Sequence, residues 1–289
     1  MKLRSGTSLG LNIQASKDGL GVGLRGVQRI YHWDEDAVNY LARLDKIVTV
    51  SGKVRRAVND FVVAAKKSNF WQTQDLIYPI IGGTAAAHAL NMKSSSYTIT
   101  WSGNLVHNNL GVRGVSGGSG AGSTGWNCST NGVNFTRNDA VLGCYQTESI
   151  SSVVFTAGAV NGALTGSSLA ATYGGSNALS YVNALVGSLN TSTNTRGGWV
   201  MGFRNNSANT QIYINGRLGG SVSAASQSLV NNTMYIMCRN AGTAATPSLG
   251  GYCVSTVSFW HFGGSRFDIN ATNLAIQKLQ QALSRNIFN

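Results

Sequence analysis

The chain has 289 residues, with 22 Lys and Arg against 10 Asp and Glu for a formal net charge of +12, and 36 glycines against two prolines. An apolar share of 43% supplies a core, and the length suits one large domain or two small ones. Three classes fall away: no run approaches the roughly 18 apolar residues of a membrane span, glycine lacks the collagen period, and Met1-Lys2-Leu3-Arg4-Ser5-Gly6 lacks the apolar stretch of a signal peptide.

Residues 1–30 read as an extended arm. Ser5-Gly6-Thr7-Ser8-Leu9-Gly10 and Asp18-Gly19-Leu20-Gly21-Val22-Gly23-Leu24 hold too many glycines for a helix and too few side chains to pack alone. Two helices are predicted next. Asp34-Glu35-Asp36 places acids at the start of the first, where the dipole favours them, and Leu41 and Leu44 continue its apolar face. Ser51 is the expected cap of the second, in which Val54, Val58, Phe61, Val62 and Ala65 recur at helical spacing before Lys66-Lys67.

The period then becomes two. In Ser96–Trp101 the side chains of Tyr97, Ile99 and Trp101 share a face, so Trp101 reads as core. Further strands are expected over 140–146, 152–156, 179–185, 198–204, 210–214, 234–239 and 251–262, eight to twelve in all, as in a sandwich or jelly roll. Asn215-Gly216 predicts a tight hairpin, because a type I′ turn needs positive φ at both positions. The Gly/Ser tract 111–125 reads as an exposed loop. A closing helix follows Asp268 and Asn270, with Leu274, Leu279 and Leu283 on its apolar side.

Motifs that carry chemistry are scarce. Gly21-Val22-Gly23-Leu24-Arg25-Gly26 matches a dinucleotide fingerprint by letter, yet no strand precedes it and no βαβ alternation follows. Gly114-Val115-Ser116-Gly117-Gly118 spells a nucleophile elbow outside any strand-to-helix turn. Only 11% of residues are charged, against roughly 25% in typical domains. Between Pro79 and Arg266 the acids are Asp139 and Glu148 alone, a poor pair for glycoside cleavage, which needs two carboxylates about 5–9.5 Å apart. Neither catalytic residues nor a cofactor is expected. The four cysteines and four histidines lack metal-ligand spacing, so no metal site is expected; buried thiols and structural imidazoles are. Cys238 and Cys253, in successive strand-like runs, could also face each other across a sheet. Arg43, Lys53, Arg55 and Arg56 could meet phosphates, but Asp34, Glu35 and Asp36 interrupt them and no aromatic platform lies nearby; nucleic acid is therefore not the expected partner.

Leu76–Asn91 after a short helical region, the strand–Asn-Gly–strand of Thr210–Arg217, Met234–Asn240, and Phe259–Gly264 leading into the helix 274–285 follow one another along the chain. Taken in that order, they resemble a group of tailed-bacteriophage virion structural proteins with a concanavalin A-like, laminin-G-like jelly roll. The resemblance covers residues 32–289 and implies a mainly β chain. Its parts would be an arm (1–30), a helical adaptor (31–75) and a jelly-roll sandwich closed by a C-terminal helix (76–289). It implies location in a virion and partners among other virion proteins and further copies of the chain. It supplies neither the calcium-binding acids of legume-type lectins nor the paired glutamates of glucanases of this fold.

The sequence leaves two roles open: a tail or fibre component with host-glycan contact, or a head decoration or head fibre with a purely structural role. Trp126 and Trp199 are the candidate glycan contacts. The arm is the candidate assembly anchor through Lys2, Arg4, Leu9, Leu11, Ile13, Leu20, Val22, Leu24 and Arg25. Its basic residues suit an acidic neighbour, and its alternate apolar residues suit a strand added to another subunit's sheet edge.

Overall fold

The computed structural model describes residues 32–148, 154–161, 165–173, 177–184, 189–191, 197–243 and 245–285; the arm lies outside them. Three helices open the described chain: α1 (Glu35–Leu44), α2 (Gly52–Lys67) and the one-turn α3 (Phe70–Thr73). Strand β1 (Gln74–Tyr78) and the one-turn α4 (Ala85–His88) lead to β2 (Thr100–Ser102), β3 (Leu105–Asn108), β4 (Gly111–Gly114) and β5 (Ala121–Asn127). After α5 (Cys128–Asn131) come β6 (Ala140–Glu148), β7 (Ala157–Val160), β8 (Gly166–Tyr173), β9 (Asn177–Ala184) and β10 (Leu189–Thr191). Then follow β11 (Gly198–Arg204), β12 (Asn209–Ile214), β13 (Arg217–Ser223), β14 (Thr233–Ile236), β15 (Arg239–Asn240), β16 (Leu249–Gly250) and β17 (Thr256–Gly263), and α6 (Ile269–Ala282) closes the fold.

The strands form two sheets of a jelly-roll sandwich. One runs β13-β12-β11-β6-β17-β4-β3, with β1 also paired to β17; the other runs β10-β9-β8-β7-β14-β5-β2, with β15 and β16 attached through β7. Alternation along β6 shows how the layers divide. Leu142 and Cys144 point between the sheets with Val200, Ile212, Trp260 and Ile236, whereas Val141 and Tyr145 point the other way, to the helices. There they meet Phe61 and Val62 of α2, Phe70 of α3, and Ile276 and Leu279 of α6. The molecule therefore has two cores stacked on one sheet.

Local chemistry explains the helix ends. The Asp34 carboxylate accepts the Asp36 N–H at 3.0 Å, Ser51 Oγ accepts from Val54 at 3.3 Å, and Asp268 accepts from Ala271 at 2.9 Å. Lys66 pairs with Asp34 and Asp36 at 2.7 and 2.6 Å, tying the end of α2 to the start of α1.

The Asn-Gly hairpin forms as expected, with φ of 48° at Asn215 and 79° at Gly216 joining β12 to β13. Four expectations need correction. The boundary at 75 cuts through β1, and the apolar faces of the helices before it share a core with the sheet. The tract 111–125 is not a loop throughout: it contains β4 and most of β5, and Gly111, Gly114, Gly120 and Gly122 sit where neighbours come close. A Cβ at Gly122 would stand 2.7 Å from the Trp101 ring and 2.9 Å from Ile236. On α6 the buried side is Ala275, Ile276 and Leu279, while Leu274 is 54% exposed. Finally, Arg43 is turned inward, donating to the carbonyls of Asn91, Met92 and Ser94 rather than facing a phosphate.

Candidate functional site

Several sequence candidates are consumed by the fold. Trp126 is 1% exposed and packs edge-on against Phe135 at 5.7 Å between the sheets; Trp199 is fully buried beneath the helices. Neither can offer a ring face to a sugar, which corrects both as glycan contacts. The carboxylate of Asp139 accepts from Ser265 N at 2.6 Å and Oγ at 2.8 Å and pairs with Arg266 at 2.7 Å. Asp75 gathers the N–H groups of Val133, Asn134 and Phe135. Both acids fasten loops. Cys128, Cys144, Cys238 and Cys253 are free, buried thiols, and burial pushes Cys128, Cys238 and Cys253 up to about 12, far from a reactive thiolate at neutral pH. Among the described residues no three His, Cys, Asp or Glu side chains are placed to share a metal ion.

What remains is the lateral edge where the two sheets meet. β2 is the end strand of one sheet and β3 of the other. Trp101 on β2 and His107 on β3 are both partly exposed, and their rings meet edge to face at 4.9 Å and 71°. The Trp101 indole N–H donates to Ala85 O at 2.9 Å, so the ring is fixed in the plane that Gly122 leaves free. Behind them His88 is fully buried, its Nδ1 3.1 Å from His107 Nδ1 and its Nε2 accepting the Gly83 N–H at 3.1 Å. Arg285, 3% exposed just beyond α6, donates to Ile80 O and Asn109 O and so ties the segment before α4 to the residue that follows β3.

Electrostatics keep this edge neutral. Burial, the facing His107 ring and the Arg285 guanidinium push His88 down to about 3, and burial lowers His107 as well. The arrangement offers a fixed indole face, a polar imidazole tip and no acid-base pair. An aromatic ring of this kind, apolar in body with a polar group beside it, suits binding.

A second histidine lies inside the helix-covered core. His261 is fully buried; Trp199 Nε1–H donates to its Nε2 at 3.1 Å, and its Nδ1 lies 2.9 Å from Gln74 Oε1. Gln74 continues to Gly264 O at 3.1 Å, so every polar atom along this line is used.

The alternation that made Trp101 a core residue fails at Tyr97, whose φ of 58° breaks the run, and β2 begins only at Thr100. An edge strand of three residues leaves its central side chain half covered. The pairing of His88 with His107 has no signal in the sequence, since the two are 19 residues apart and meet only because the fold sets α4 against β3.

No family model matches the chain, and no curated protein matches it. Among solved structures, it is similar to the botulinum neurotoxin serotype D ligand binding domain in complex with N-acetylneuraminic acid, with a TM-score of 0.44 and 13% identity over 74% of this chain and 52% of that one. Botulinum neurotoxin type C, from a structure describing cell entry dependent on two ganglioside molecules, gives a TM-score of 0.46 and 13% identity over 74% and 53%. The binding domain of botulinum neurotoxin DC in complex with rat synaptotagmin II gives 0.44 and 14% over 73% and 52%. The chain spans about half the length of the solved structures it matches.

Proposed function

We propose that the protein is a non-catalytic structural component of a bacteriophage virion, tail- or fibre-associated, and that its Trp101–His107 edge contacts a saccharide of the host surface. The virion role is supported by the ordered resemblance of segments across residues 32–289. The absence of catalysis is supported by the use of Asp75 and Asp139 as loop fasteners. One observation carries the glycan contact: of the tryptophans Trp101, Trp126 and Trp199, Trp101 alone is partly exposed, and it stands beside an imidazole in a carboxylate-poor surface. In this reading the arm, from Lys2 and Arg4 through Leu24 and Arg25, serves as the assembly anchor.

The test begins with purified particles. About 6 to 18 copies per particle are expected for a low-order symmetric tail assembly; hundreds would make it a head decoration, and none would remove it from the virion. Trp101→Ala should then reduce binding of the isolated protein to host cells at least tenfold. Undiminished binding would sink the glycan contact.

A further inference from the structure

We infer that His107 is held as a permanent outward-facing N–H donor, and that the edge takes a saccharide which sets a hydroxyl or ring oxygen on that donor while its C–H face lies on Trp101. The inference rests on the glycan-contact reading and adds its specificity determinant. The Gly83 N–H points at His88 Nε2, so that nitrogen is an acceptor and bears no proton. A neutral His88 then carries its proton on Nδ1, which can only be the donor across the 3.1 Å gap to His107 Nδ1. His107 Nδ1 is therefore also an acceptor, and its proton sits on Nε2. Two backbone-to-ring and ring-to-ring contacts thus set a tautomer at the surface without any charge.

Among the described residues no partner is found for His107 Nε2–H, and the ring is partly exposed beside the Trp101 indole. Its complement is an oxygen acceptor. A cationic ligand would meet a donor and the nearby Arg285 guanidinium, which already acts on His88. A sugar presents an apolar face and rim oxygens together, which matches an indole and an imidazole N–H on rings whose centroids lie 4.9 Å apart. His88 is the positioning residue: it touches no ligand, but it decides which His107 nitrogen faces out.

Two measurements test this. Long-range 15N–1H spectra of the labelled full chain at pH 7 should show His88 as the Nδ1–H tautomer and His107 as the Nε2–H tautomer. His107 protonated on Nδ1 would overturn the inference, whatever the protein binds. Binding is then read against a panel of free hexoses and N-acetylhexosamines at millimolar concentration. His107→Phe keeps an aromatic ring against Trp101 but removes the donor, and should weaken binding at least tenfold. His88→Leu should weaken it several-fold, while His88→Gln, able to accept from Gly83 and donate to His107, should restore it. Loss with Trp101→Ala but full binding by His107→Phe would leave the glycan contact standing and discard the donor. A failed rescue by His88→Gln with folding intact would discard His88 as the positioning residue.

Discussion

The two histidine relays are built from the same parts and end differently. In the helix-covered core, Trp199 donates to His261, His261 to Gln74, and Gln74 to Gly264 O, so the line begins and ends in protein. At the sandwich edge, Gly83 donates to His88 and His88 to His107, and the last N–H faces outward. Both lines fix tautomers, and both hold their rings neutral in surroundings that disfavour charge. The difference lies in closure. A closed relay spends every donor on the fold and specifies packing, whereas an open one delivers a donor of defined direction to the surface.

Acid should strain both relays at once, and its effect on stability should exceed that of any single substitution in either. Burial holds His261 down to about 3, and burial with His107 and Arg285 does the same for His88. These folded values lie below the ordinary imidazole value of roughly 6.5, so the unfolded chain takes up protons that the folded chain refuses. The stabilisation is complete above about pH 6.5 and is lost as pH falls from there toward 3. Each buried imidazole contributes a slope of about 1.4 kcal/mol per pH unit. Urea unfolding between pH 7 and 4 should show it, and His261→Gln, which can still accept from Trp199 and donate to Gln74, should lower the slope by about one such unit. A stability that is flat over this range would mean the rings titrate normally.

The closed relay should also be the less tolerant of added volume. A Cβ at Gly143 would stand 2.0 Å from His261 Nε2 and under 3 Å from two ring carbons. The imidazole cannot retreat, because Trp199 and Gln74 hold its nitrogens and Phe70 stands edge-on at 5.0 Å. Gly143→Ala should cost about 3 kcal/mol, a fall in melting temperature of roughly 6–12 °C at the 2–4 °C per kcal/mol usual for domains near this size. A variant melting within about 2 °C of the parent would show that the relay can slide, and the contrast with the edge would lose its force.

The legible parts of this molecule are those whose cause is local. Asp34, Ser51 and Asp268 cap helices because capping spans three residues, and Asn215-Gly216 turns because the turn needs only its own backbone. The helical spacing of Val58, Phe61, Val62 and Ala65 correctly marks a buried face, but not that its cover is α6 together with Phe259 of β17, edge-on to Phe61 at 5.6 Å. The tract 111–125 is misleading because glycine density marks both loops and close-packed strands, and only the approach of Trp101 to Gly122 tells them apart. Charge misleads for a related reason. In a chain short of carboxylates, Arg43, Arg204 and Arg285 fasten loops by donating to backbone carbonyls, an arrangement invisible without the fold. The tryptophans invert for a topological reason: Trp126 and Trp199 lie in strands with neighbours on both sides, and Trp101 lies in an end strand.

That inversion gives the finest discrimination between the two regions, through the same substitution made in each. Trp199→Phe removes part of a fully buried indole and leaves His261 Nε2 without its donor. Both a residual cavity and an unpaired buried acceptor follow, and together they should cost about 2–4 kcal/mol. Trp101→Phe also deletes a hydrogen bond, from Nε1 to Ala85 O, but at a partly exposed ring where water can take the vacated acceptor. The phenyl ring still stands beside Gly122 and the His107 ring. The expected loss is about 0.5–1 kcal/mol, the net worth of one ordinary hydrogen bond. Paired urea titrations of the full chain measure both. Equal losses would mean that Trp101 is as much a core residue as Trp199, and that the edge is built for packing rather than for a ligand.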